Sequence, residues 1–257
     1  MIVSDDRNFI YARIPKTAST SVSAALEPYR RKADAALVGR IGRRLLPKSA
    51  HPALVNFRAH SHWGLQAARE VMGEEFFSRA TKFTVARHPF AWITSLYNHV
   101  LRMENDADFK RVFAPVFEQS QSLNTFIGSL ESRPIPPQSA LLVDYDGNML
   151  ADHVARVELL EDEIRPIFAA CGIEAAIPAL NRGTYSAAEG LSAHSMTLIK
   201  SIYAVDFEMF GYDNQGPDGP VTLSSTLAKP LGRHLRSMGA LDFSPWEPMA
   251  SLQVAAD

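Results

Sequence analysis

Five closely spaced residues, Lys16, Thr17, Ser19, Thr20 and Ser21, combine one full positive charge with four hydroxyl donors. Hydroxyls at that density exceed what a helix cap requires, and beside a lysine they suit a phosphate or sulfate group. A second pair of anion-binding types is Arg87, whose planar guanidinium fits phosphate, and Ser95, which lies off the apolar stripe of Phe90, Ile93, Tyr97 and Val100 and is available to a ligand.

Each set needs a strand to deliver it and a helix to follow. Asn8 to Ile14 is aromatic and β-branched, stops at Pro15, and is followed by capping hydroxyls and the apolar run Val22, Ala24, Ala25, Leu26, which predicts a strand, a loop and a helix. Such a turn presents unsatisfied backbone N–H groups and the positive end of the helix dipole to an anion. The arrangement repeats: Lys82 to Arg87 reads as a strand, His88-Pro89 as a break, and Phe90 to Leu101 as an amphipathic helix. Further on, helical patterns are expected near Phe109 to Glu118 and Leu123 to Leu130, and the proline-rich Arg133 to Pro137 reads as a loop. Ala140 to Tyr145 and Ala155 to Leu160 are expected as short strands joined by a turn at Asp146-Gly147-Asn148, with a helix over Glu161 to Ala170 and one long helix from Ser192 to Phe210. Alternating strands and helices predict an α/β fold: a single domain with a central parallel sheet flanked by helices, and a P-loop-like anion loop at a strand's carboxyl end.

No glycine occurs before Gly39, so the glycine-rich Walker loop of ATPases and GTPases is missing. The net charge of −2 argues against a general nucleic-acid binder, and any anion site must be local. Only residues 30 to 48 are strongly basic, with Arg30, Arg31, Lys32, Arg40, Arg43, Arg44 and Lys48 against Asp34; this stretch is either a solvated surface or a site for an anionic acceptor. Cys171 is the sole cysteine, which excludes an intrachain disulfide and a cysteine metal cluster. No stretch has the length and apolarity of a signal peptide or a transmembrane helix, so a cytoplasmic location is expected.

The segment Arg13-Ile14-Pro15-Lys16-Thr17-Ala18-Ser19-Thr20-Ser21 resembles the 5′-phosphosulfate loop of sulfotransferases that use 3′-phosphoadenosine-5′-phosphosulfate (PAPS), in the form found in uronyl and heparan sulfate 2-O-sulfotransferases. Arg87 to Tyr97 is similar to the same family's 3′-phosphate element, an arginine at a strand end and a serine eight positions later, here Arg87 and Ser95. His88 departs from the acid usual at its position and is given no role. Later landmarks follow in order: Pro137-Gln138, Arg156 to Leu160, Leu180 to Thr184, Tyr203 to Phe207 and Phe210 to Tyr212. The resemblance thus spans roughly residues 8 to 213. It divides the chain into a sulfotransferase domain over 1–213 and an irregular extension over 214–257, expected to pack on the same domain.

The resemblance implies that residues 13 and 16 to 21 bind the donor, together with Arg87 and Ser95, and that Arg182 and Thr184, in a segment that closes over the nucleotide in related enzymes, add contacts. It implies sulfuryl transfer from PAPS to an acceptor hydroxyl, most simply on a carbohydrate, releasing the 3′,5′-bisphosphate PAP. Lys16 would stabilise the leaving phosphate. Phe57-Arg58-Ala59-His60-Ser61-His62 is similar to the segment carrying the catalytic histidine of the 2-O-sulfotransferases, making His60 the expected base; an imidazole with pKa about 6.5 is largely neutral at pH 7. His62, on the same face of an extended segment, is the reserve, and Glu158 is a second candidate because carboxylates serve as bases in other sulfotransferases. No metal is expected, since the transferred group carries less charge than a γ-phosphoryl group. The alternative reading is a noncatalytic module that binds PAP, PAPS or a sulfated glycan. The acceptor and the oligomeric state are not legible in these residues.

Overall fold

The computed structural model describes residues 1–31, 64–102, 122–132, 134–178, 189–214, 216–219 and 221–223. Four strands form one sheet in the order β1 (Ile2–Ser4), β2 (Phe9–Ala12), β3 (Thr81–Ala86), β4 (His153–Arg156). β1 runs antiparallel to β2, with Ile2 opposite Tyr11 and Ser4 opposite Phe9, after a tight reversal in which Asn8 takes a left-handed φ of 47°. β2, β3 and β4 are parallel, with Tyr11 opposite Phe83 and Phe83 opposite His153. The architecture is therefore α/β with a mostly parallel sheet flanked by helices.

Every residue of β2 is buried, as expected for a strand covered on both faces. The two-residue period sorts its side chains. Phe9 and Tyr11, with Phe83, Val85 and Ala155, meet α1 (Ser19–Leu26) through Val22 and Leu26, and α6 (Leu160–Ala170) through Ile164, Ile167 and Phe168. Ile10 and Ala12, with Ala86 and Val154, meet α2 (Leu65–Met72) and α3 (Glu74–Arg79) through Leu65, Phe76 and Phe77. The Phe83 ring lies 5.6 Å from Phe9, 5.3 Å from Tyr11 and 6.2 Å from Phe168; a phenylalanine enclosed this way contributes about 3–5 kcal/mol relative to alanine. A third cluster joins α4 (Pro89–Arg102), α5 (Leu123–Ser129) and α7 (Ala193–Ile202) through Trp92, Ile93, Phe126, Ile127 and Ile199. Among the described residues no helix is long and apolar enough to cross a membrane.

Three expectations are corrected. Ala140 to Tyr145 is not a strand: Gln138–Leu142 winds as a 3-10 turn because a carboxylate from a distant helix, Asp206, accepts the N–H groups of Gln138 and Ser139, and only Val143 pairs, with Met149, across the expected turn at Asp146 to Asn148. Ala155 to Leu160 is strand only as far as Arg156, since Glu163 accepts the Arg156 N–H and Val157–Leu159 turns directly into α6. The helix expected from Ser192 to Phe210 is two helices, α7 and α8 (Ala204–Phe210), broken at Tyr203 (φ −110°, ψ 25°). The break stacks the buried Tyr203 ring edge-on against Trp92 at 5.6 Å and aims Asp206 inward. The helix expected over Phe109 to Glu118 lies outside the described residues. Of the basic stretch, the described Arg30 and Arg31 are engaged with Glu27 and Asp5, and Arg31 also lies over the Phe76 ring.

Candidate active site

β2 ends at Ala12, and the chain turns through Arg13, Ile14 and Pro15 into α1. Ile14 is fully buried, and the buried Thr17 hydroxyl donates to its carbonyl at 2.9 Å, closing the turn. Lys16 (φ 65°) and Ala18 (φ 55°) both adopt left-handed backbone, although neither is glycine. Such conformations cost an L-residue about 1–2 kcal/mol each, and strain of this kind gathers where a loop is shaped for binding. Ala18 is the N-cap of α1 and offers no side-chain cap; the first helical hydrogen bond runs from the Val22 N–H to the Ala18 carbonyl at 3.2 Å. The N–H groups that a helix leaves without intrahelical acceptors thus sit at a positive dipole end beside Lys16. Ser19 and Ser21 are buried, Thr20 is exposed, and Lys16 and Arg13 are partly exposed. Burial, and then the nearby charge of Arg30, lowers the Arg13 pKa below the usual arginine value.

β3 ends at Ala86, and Arg87 is the next residue. Its guanidinium donates from Nη1 to the Lys16 carbonyl at 3.3 Å, so the two anion elements anticipated from sequence, 71 residues apart, are in contact. One turn into α4 the Trp92 indole N–H donates to the Pro15 carbonyl at 2.9 Å, a second tie between the same elements. Ser95 follows on α4 and is half-buried. The Arg87 backbone is itself held by a side chain: its N–H donates to Gln138 Oε1 at 2.9 Å, and its carbonyl accepts from Gln138 Nε2 at 2.7 Å.

His88, given no role from sequence, is fully buried and anchors the corner between β3 and α4. Its Nδ1 accepts from the Phe90 N–H at 3.2 Å and its Nε2 lies 2.7 Å from the Asp213 carbonyl, which assigns the proton to Nε2 of a neutral ring. The rings of Phe90, Phe207 and Tyr212 surround it, and burial depresses its pKa. Glu158 reaches the same corner. Its Oε1 accepts the His88 N–H at 3.0 Å and its Oε2 the Tyr212 hydroxyl at 2.8 Å, so both oxygens are engaged while the residue as a whole remains exposed to solvent.

The structure thus brings together the loop of residues 13 to 21, Arg87 and the helix carrying Ser95, with Glu158 behind Arg87 and His88. His60, His62, Arg182 and Thr184 lie outside the described residues. Two residues that sequence reasoning gave no role, Gln138 and Asp206, prove central to the Arg87 corner. Both stand in segments similar to family landmarks, but which partner each chooses depends on contacts 51 and 68 residues away.

Comparison with known proteins adds one finding. No curated protein and no solved structure matches the chain significantly. A family model described as the sulfotransferase family does match, over residues 1–213, a span containing the loop after β2, Arg87, Ser95 and the whole sheet. The chain belongs to the sulfotransferase family.

Proposed function

We propose that this protein transfers the sulfuryl group of PAPS to a hydroxyl of a carbohydrate. The observation that carries the donor assignment is the hydrogen bond from Arg87 to the Lys16 carbonyl, which sets a phosphate-type arginine directly beside a helix N-terminus rich in hydroxyls. A donor with a 5′ anion and a separate 3′-phosphate requires two such elements close together. In this reading the 5′-phosphosulfate lies on the α1 N-terminus against Lys16, Thr17, Ala18, Ser19, Thr20 and Ser21, with Arg13 adding charge at the loop's entry. The 3′-phosphate is taken by Arg87 and Ser95, and Arg182 and Thr184 complete the donor site.

In the reaction the acceptor oxygen forms a bond to sulfur as the bond from sulfur to the 5′-phosphate oxygen breaks, and the acceptor's proton passes to His60, with His62 in reserve. Charge grows on the departing phosphate, where Lys16 and the helix dipole stabilise it. Glu158 is the competing base; because both its oxygens already accept hydrogen bonds from the protein, its geometry favours holding the Arg87–His88 corner. A carbohydrate acceptor is supported by the likeness of the loop to the 2-O-sulfotransferase form, and an anionic one by the cationic stretch from Arg30 to Lys48.

Radiolabelled PAPS with the purified chain and a panel of sugar and glycan acceptors tests the proposal. Lys16→Ala and His60→Ala are both expected to abolish transfer, and only Lys16→Ala to weaken PAP binding strongly in calorimetry. A His60→Ala variant turning over at the wild-type rate would sink the base assignment. Tight PAP binding with no transfer to any acceptor would favour a noncatalytic binding module.

A further inference from the structure

Beyond Ala86, whose ladder partner in β4 is Arg156, Arg87 has left the sheet, yet both its backbone polar groups are satisfied by the carboxamide of one side chain. Gln138 offers its oxygen to the Arg87 N–H and its nitrogen to the Arg87 carbonyl, doing for one residue what a neighbouring strand would do. Holding the two peptide groups that flank a Cα fixes its φ and ψ, and with them the direction in which the side chain leaves the backbone.

Gln138 is in turn buried and held. It is 1% exposed, and its own N–H donates to Asp206 Oδ2 at 2.8 Å. Asp206, with no exposed surface, also accepts the Ser139 N–H at 3.0 Å and the Ser139 hydroxyl. A continuous path therefore runs from α8 through Asp206 and Gln138 to Arg87, and from the Arg87 guanidinium to the Lys16 carbonyl. Burying a carboxylate and a carboxamide at one corner is costly where apolar packing would serve as well, and what this corner delivers is the orientation of an arginine.

We propose that Gln138, held by the buried carboxylate of Asp206, is the positioning residue that aims Arg87 at a nucleotide 3′-phosphate. The assignment rests on the donor reading above and adds the residue that makes Arg87 selective.

The test compares two ligands that differ only in the 3′-phosphate, PAP and AMP, by calorimetry on the wild type, Gln138→Met and Gln138→Leu, with melting followed in parallel. Methionine matches the shape and removes both hydrogen bonds. Leucine, branched and slightly smaller, likewise removes both hydrogen bonds, and it serves should the methionine variant fail to fold. Each is expected to weaken PAP binding about tenfold while changing AMP binding by less than about twofold. In an Arg87→Ala background the Gln138 change should have no further effect on PAP, because the two residues act as one unit. Equal losses for PAP and AMP, an unchanged PAP affinity, or losses that multiply in the double variant would overturn the role of Gln138 alone. A wild type that binds PAP no better than AMP would instead overturn the donor reading, and this inference with it.

Discussion

Replacing Asp206 by asparagine tests whether the carboxylate behind the Arg87 corner is a strained anion. The side chain is fully buried, and burial pushes its pKa up to about 6 even though hydrogen bonds from Ser139 and Gln138 pull the other way. In the unfolded chain the same group titrates at about 3.9. Between these values the folded protein holds a proton that the unfolded chain has released, so this group's contribution to stability falls as pH rises through that window. Over a range from roughly pH 4.5 to pH 7.5 the loss amounts to about 2 kcal/mol. Asp206→Asn keeps the shape and one acceptor oxygen but cannot ionise. Urea denaturation of both proteins at several pH values, read as the difference between them, isolates this group from the other acids. The variant's deficit relative to wild type should shrink by about 2 kcal/mol on going from the acid to the neutral end. If the deficit instead grows with pH, the three donors outweigh burial, Asp206 is a stabilised anion with a depressed pKa, and the argument from desolvation is wrong.

Two further outcomes bear on the site itself. Glu158→Gln keeps an oxygen for the His88 N–H and can donate to the Tyr212 oxygen, so turnover is expected to stay within about fivefold of wild type, whereas loss of a general base would cost about 100-fold to 10,000-fold; a loss of that size with PAP binding intact would move the base from His60 to Glu158. Ala18→Gly relieves a left-handed alanine, a gain of about 1–2 kcal/mol set against about 0.5–1 kcal/mol of added unfolded-chain entropy, and should raise the melting temperature by up to about 4 °C in calorimetric scans. A variant less stable than wild type would show that the alanine methyl packs rather than strains.

The strand, loop and helix units around Lys16 and Arg87 were legible because their signals are local: a β-branched run, a proline stop, a hydroxyl cluster, then an apolar stripe at helical spacing. What escaped was decided by partners far along the chain. Gln138 and Ser139 sit in a 3-10 turn because Asp206 accepts their N–H groups, and no property of residues 138 to 142 announces that acceptor. The break at Tyr203 has the same origin, since seven apolar or helix-tolerant neighbours on either side read as one continuous helix until Trp92 and the Gln138 turn demand a bend. His88 was passed over because a similar family carries an acid there; the imidazole's work, bridging the Phe90 N–H and the Asp213 carbonyl, appears only once the chain returns to that corner.

The ties from Arg87 to Lys16 and from Trp92 to Pro15 make the loop after β2 and the start of α4 one body. Such a body works as a caliper. The gap between its jaws is set during folding by these two ties, so under the proposed donor assignment it would gauge the separation of a donor's two anionic ends. Tuning that gap would mean moving α4 against the sheet, and Trp92, wedged between the loop and the Tyr203 ring, resists such movement.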